Sequence, residues 1–156
     1  MGRGPLALIA VVAMAALLLA GCSGGGEDSS SGKTISKEDF IVKADAICKK
    51  GTERLQKAIF AALKHPQNLA KVSEDEQIKI VTTAMVPNVS REVKELRALG
   101  IPDGDEEKID AMIGALEEGV ETAEQDPQAV TKSSDVVFGI SSRIAGEYGL
   151  TACSSR

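Results

Sequence analysis

This chain of 156 residues has no tryptophan, a single tyrosine, Tyr148, and a single histidine, His65. Aromatic side chains make up 3% of it, so a sugar-binding cleft, or any ligand site walled by stacked rings, has little to be built from. The lone histidine closes off several chemistries. Zinc takes four ligands, or three and a water, and no Cys-x-x-Cys pair stands ready to join His65. A di-iron bundle needs a Glu-x-x-His pair on each of two helices, and the sequence has none. A nucleophilic Ser or Cys needs a base within reach, yet His65 sits beside Pro66 at an expected helix end, and no Gly-x-Ser-x-Gly elbow occurs. Its position suits interaction with the negative end of a helix dipole. Basic residues are also in deficit: the formal charge is −5, which disfavours nucleic acid and direct adhesion to anionic lipid.

No apolar run is long enough, with suitable flanks, to remain as a membrane-spanning helix. The one candidate, Leu6 to Ala20, follows Arg3 and ends in small residues, which is the layout of a secretory signal. It closes on Leu19-Ala20-Gly21-Cys22. That tetrad resembles the lipobox of bacterial lipoproteins, and the resemblance implies that Cys22 carries a diacylglycerol thioether and becomes the mature N-terminus. Each buried acyl CH₂ contributes about 0.8 kcal/mol, and one chain alone binds only reversibly, so a multiply acylated cysteine is an efficient anchor. The chain would then sit at the extracytoplasmic face of the cell membrane. The alternative is an ordinary thiol beside a plain cleavage site. Residues 22–35 are rich in Gly and Ser and read as a flexible tether. With 1–21 as signal peptide, this leaves 36–156 as one modest helical domain.

Lipidation of Cys22 leaves Cys48 and Cys153 as a pair in an oxidising compartment, and a disulfide between them is the expectation. Two free buried thiols, or a metal site with His65, are the competing readings. The disulfide would tie the C-terminal tail to the first helix.

Helical periodicity runs through the rest. Ser36 and Asp39 read as a capping box for a helix over 37–64, with Phe40, Ala44, Ile47, Gly51, Leu55, Ile59 and Leu63 as its apolar face and Pro66 as its stop. Ser73 and Glu76 read as a second box. The stripe that follows is Ile78, Val81, Met85, Val89, Val93 and Leu96, and Leu99-Gly100 ends it. Pro87 lies inside this stripe and should kink the helix near Thr83, whose hydroxyl can serve a local carbonyl. A third helix is expected from Asp105 to Glu124, with Ile109, Met112, Ile113, Leu116, Val120 and Ala123 inward and Asp126-Pro127 breaking it. Ser133, Ser134 or Asp135 should cap a fourth, with Val137, Ile140, Ile144 and Tyr148 inward. Gly149 then occupies the left-handed position and Leu150 packs beneath it. No alternating strand pattern appears. The fold expected is all-α: an antiparallel four-helix bundle stapled by Cys48–Cys153.

Phe40, Lys43-Ala44-Asp45-Ala46-Ile47-Cys48, Val86-Pro87-Asn88, Leu99-Gly100-Ile101-Pro102 and Tyr148-Gly149-Leu150 with Cys153 together resemble a group of small secreted lipoproteins, mainly actinobacterial. The resemblance spans nearly the whole mature domain. It supports the helices and the disulfide and implies no activity.

Other candidate features read as structural. Asp103, Asp105 and Glu107 alternate like a calcium loop, but Lys108 and Gly114 stand where an EF-hand needs its Gly and its bidentate Glu. They fit a helix N-cap and first turn better. Glu117, Glu118, Glu121 and Glu124 make an acidic, solvated face. Gly51, Gly114, Gly119, Gly139 and Gly146 fall inside helices, where each costs about 1 kcal/mol relative to Ala. Close packing, or room for a small apolar ligand, would account for them. No cofactor or metal is implied. The function expected is a lipid-anchored binding module of the envelope, engaging the membrane through Cys22 and an envelope protein as partner, with no catalysis evident. The alternative is a carrier for a small apolar or lipid ligand.

Overall fold

The computed structural model describes residues 35–63 and 72–155. Cys22, the signal segment, the tether up to residue 34, and His65 with Pro66 lie outside those residues. Among the described residues every regular element is a helix.

Helix α1 spans Lys37–Ala62. The Ser36 hydroxyl accepts the Asp39 N–H at 3.1 Å, which satisfies one of the donors that a helix start leaves over. Glu38 and Asp39 face the positive end of the dipole. Phe40, Ala44, Cys48 and Gly51 are buried, so the inward face expected from the spacing is the one used, with Cys48 joining it. Leu63 turns into extended backbone and ends the helix just short of the expected position.

The second helical run is less regular than its stripe suggests. Helix α2, Glu74–Ile80, passes without a break through a π-turn over Val81–Met85 into α3, Val86–Arg97. Pro87 supplies the reason: it has no N–H and its ring crowds the preceding turn, so the backbone widens by one residue. The Val86 N–H accordingly reaches back five positions to the Val81 carbonyl. The Thr83 hydroxyl donates to the Lys79 carbonyl at 2.7 Å.

Helix α4 runs Glu106–Gln125. Asp126-Pro127 ends it but also starts another, α5, Pro127–Lys132: the Asp126 carboxylate accepts the Ala129 N–H at 3.3 Å, and proline at the first helical position gives up no needed donor. Helix α6 follows over Ser134–Tyr148, then the short α7, Thr151–Ser154. The inward face of α6 differs from the expected stripe. Phe138, Ser141, Ala145 and Tyr148 are buried, while Ile140 is 58% exposed. The face is rotated so that the Phe138 ring packs over Gly119 of α4, where a Cβ would lie 2.6 Å from that ring. Val137 and Ile144 pack at the edge of the core.

Gly149 takes φ 101°, the left-handed conformation that an L side chain resists. This turn lets the Leu150 N–H reach the Ala145 carbonyl at 2.8 Å and drives the Leu150 side chain into full burial. Directly beyond, Cys153 is bonded to Cys48, with an S–S distance of 2.05 Å and Cα atoms 5.1 Å apart. The Asp45 carboxylate accepts from Thr151 N at 3.1 Å and Ala152 N at 2.9 Å, so α1 caps α7 from outside it. The core around this junction is Phe40, Leu96, Ile109, Ile113, Leu150 and the disulfide.

Candidate functional site

Two polar side chains interrupt the inward face of α3. Asn88 and Glu92 stand one turn apart, 8% and 3% exposed, among Val89, Val93 and Leu96. Buried polar groups persist only where hydrogen bonds replace water, and here the bonds run between helices. Asn88 Nδ2 donates to the Gly51 carbonyl of α1 at 3.1 Å and to Glu92 Oε1 at 2.9 Å. Its Oδ1 accepts from Arg54 Nε at 3.2 Å, and Arg54 reaches Glu95 at 3.5 Å. All the hydrogen-bonding capacity of the amide nitrogen is used, so the Asn88 plane is fixed and with it Glu92 Oε1. Gly51 makes the arrangement sterically feasible: a Cβ there would overlap the Glu92 carboxylate.

Beside this network lies a cavity of about 240 Å³. Asn88, Val89 and Glu92 form its floor; Leu55 of α1, Met85 of the π-turn and Phe138 of α6 form apolar walls. Exposed Thr52, Ser134, Asp135 and Ser155 mark the mouth. Gly139 also borders it, and nothing lies within 4 Å of where its Cβ would stand. A more open depression, sharing Leu55, Met85 and Ser134, continues along Ile59, Val81 and Val130. The site therefore offers an apolar trough with the Glu92 carboxylate in its lining.

A second polar junction serves the opposite purpose. Tyr148, in edge-on contact with Phe40 at 5.9 Å, donates its hydroxyl to Asp105 Oδ2 at 2.6 Å. Lys37 lies 4.3 Å from the centre of the tyrosine ring and 3.6 Å from the same carboxylate. Burial, and then the bond to Asp105, pushes the Tyr148 phenol well above its ordinary range. The cluster locks α1, α4 and α6 together.

The sequence-derived candidates divide accordingly. Cys48 and Cys153 are joined; Cys22 and His65 fall outside the described residues. Asp105 does stand at the N-cap of α4, but its side chain serves Tyr148 and Lys37 instead of capping amides. On the acidic face of α4, Glu117 forms a two-pronged pair with Arg97 at 2.7 and 2.8 Å, and the guanidinium holds its carboxyl below the usual range. Among the described residues no three His, Cys, Asp or Glu side chains converge as a metal site, and no helix is long and apolar enough to cross a membrane. The glycines split: Gly51 and Gly119 permit close packing, whereas Gly114 and Gly139 face open space.

Asn88 and Glu92 were not singled out from the sequence as site residues. A signal was there: two hydrogen-bonding residues four apart, immediately flanking Val89 and Val93 in an apolar stripe, imply a polar face directed at a neighbouring helix. Comparison with protein-family models, curated proteins and solved structures gives no match for this chain.

Proposed function

We propose that this chain is a lipid-anchored binding module at the extracytoplasmic face of the cell envelope, and that its ligand is a small, mainly apolar molecule held between α1, α3 and α6. The observation that carries the reading is the cavity of about 240 Å³, walled by Leu55, Met85 and Phe138 and floored by the Asn88–Glu92 pair. Small-molecule sites have this composition: mostly apolar lining with a few fixed polar groups. The role is binding, with no catalytic step assigned.

In this reading α1, the α2–α3 run, α4 and α6 are the four members of an antiparallel bundle, with short connections and opposed apolar faces in support. The anchor is the acyl chain on Cys22, supported by the lipobox resemblance, and the Gly/Ser segment after it lets the domain sample the space near the membrane. Purification of the chain from its native membrane and native mass spectrometry should reveal a co-purifying small molecule, absent after Gly139 is replaced by Leu. A Cys22→Ser chain should leave the detergent-rich phase. Recovery of a ligand-free protein at every purification step would overturn the carrier role.

A second reading, docking of an envelope protein, has its own observation. Val136 and Ile140, one turn apart on α6, are 80% and 58% exposed. Crosslinking in intact cells with a probe placed at Val136 should then return a reproducible protein neighbour.

A further inference from the structure

We infer that the occupant of the cleft is one unbranched acyl chain of a membrane lipid, lying lengthwise from the cleft past Met85 into the neighbouring depression; this rests on the reading of the cleft as a binding site. The two hollows share Leu55, Met85 and Ser134, so they meet along one line. Among the described residues, the apolar walls beyond that junction are Ile59, Ile80, Val81 and Val130, all branched aliphatic side chains. The junction stands on the π-turn, of which Val81 and Met85 are the first and last residues. Such widened turns are frequent at functional sites, and a methionine adapts its shape to what lies against it.

Length separates a chain from a compact ligand. The cleft of about 240 Å³ has room for about eight carbon atoms at the ~30 Å³ that a water takes up in the liquid. The depression, about 250 Å³, has room for about as many again. A compact molecule fills one hollow and leaves the other wet, whereas a chain dries both and gains about fourfold in affinity for each CH₂ it buries. In the floor Asn88 donates to Glu92 Oε1 and to the Gly51 carbonyl, and the reading requires no charged group on the ligand. The Thr52, Ser134 and Ser155 hydroxyls at the mouth suit the ester or hydroxyl groups from which lipid chains spring. The source follows from the length of chain before α1. On the anchored reading residues 22–35 separate the bilayer from α1, and a Gly/Ser coil of that length spans about 20 Å. From Lys37 to Thr52 at the mouth is about 22 Å along α1 at 1.5 Å per residue. The two lengths match, so the mouth can meet the bilayer surface.

The test places the full chain on phosphatidylcholine vesicles that carry a minor fraction of a photoactivatable lipid. One probe is phosphatidylcholine with a diazirine at mid-chain, a second carries it beside the terminal methyl, and a third is a diazirine sterol with a compact, rigid body. Peptide mass spectrometry locates the adducts. The expected result is that the two chain probes label different walls, one the cleft around Met85 and Phe138 and the other the depression along Ile59, Ile80 and Val130. The sterol should label either wall at about fivefold lower yield or less. Gly139→Leu, whose new side chain grows into the cleft, should abolish the labelling of both walls. Thr131→Trp, at a part-exposed position in the depression, should remove the depression adducts alone, and it keeps the test sound if the Gly139 variant does not fold. Cleft adducts from both chain probes with none in the depression, or sterol labelling equal to that of the chains, overturns the acyl chain and leaves the binding cleft standing. No labelling of either hollow above that of the exposed helix faces overturns both.

Discussion

A single missing carbon atom has opposite consequences at different positions of this protein. Gly119 lies beneath the Phe138 ring, 2.6 Å from where a Cβ would be, with the Val137 carbonyl at 3.0 Å. Gly114, on the same helix, has nothing within 4 Å. Alanine at 114 should therefore stabilise by about 0.5–1 kcal/mol through helix propensity. Alanine at 119 should destabilise by about 1–3 kcal/mol through overpacking. Urea unfolding of both variants checks the difference in sign. Tyr148 allows an equally direct measurement because it is the only tyrosine and there is no tryptophan. Its phenol is held neutral in the folded chain above the pH at which a free phenol ionises, about 10. The folded form thus retains a proton that the unfolded form loses. The stability from this group is complete below about pH 10 and declines as pH rises further. An absorbance titration should find phenolate only well above the ordinary range, coincident with loss of helical circular dichroism. Phenolate appearing near pH 10 in folded protein would remove the Asp105 bond from the account.

Element boundaries follow from local chemistry where a side chain can reach the backbone. At the start of α2, Ser73 and Glu76 exchange hydrogen bonds, Glu76 N to the hydroxyl at 3.3 Å and Ser73 N to the carboxylate at 3.1 Å. The α6 start has Ser133 at the same position with no side-chain cap bond. Ser73→Ala should accordingly cost about 1 kcal/mol, and Ser133→Ala should change little; thermal melts of the two distinguish a working cap from a serine that merely occupies the site. The capping box at Ser73 was readable in the sequence, as was the disturbance at Pro87, since both depend on residues a few positions apart. The widened turn over Val81–Met85 is one resolution of a proline inside a helix, and a sharp kink is another. Which one forms depends on how Val81, Val86 and Val89 must sit against neighbours distant in sequence. The α6 face shows the same limit. Its sequence supports two overlapping stripes, and the choice of Phe138 over Ile140 was made by the space above Gly119, invisible from α6 alone.

At the scale of the whole molecule, the disulfide and the Asp45 cap act on the same few residues. The bond closes a loop of sequence separation 105, and in the chain-entropy view a loop of about 100 residues contributes up to about 4.7 kcal/mol. Reductant should lower the urea midpoint correspondingly and raise amide exchange at Thr151–Ser154 first, because α7 is then held only by non-covalent contacts, the Asp45 carboxylate and the packing of Leu150, Ala152 and Cys153. An unchanged midpoint on reduction would mean that packing already supplies the constraint. Ser155, next to α7, is part of the cleft mouth, so the staple also places one edge of the cleft. The sequence by itself determined the helical class and most inward positions, and made Cys48–Cys153 the expected pair once the lipobox resemblance set Cys22 aside. Periodicity and caps are short-range, and each acts whatever the rest of the chain does. Only the tertiary structure decided that Asn88 and Glu92 meet Gly51 and Arg54, that Asp105 serves Tyr148, and that a cavity remains beside Phe138. Each depends on which helix faces which, and burial gives a polar group its energetic weight only once that neighbour is in place.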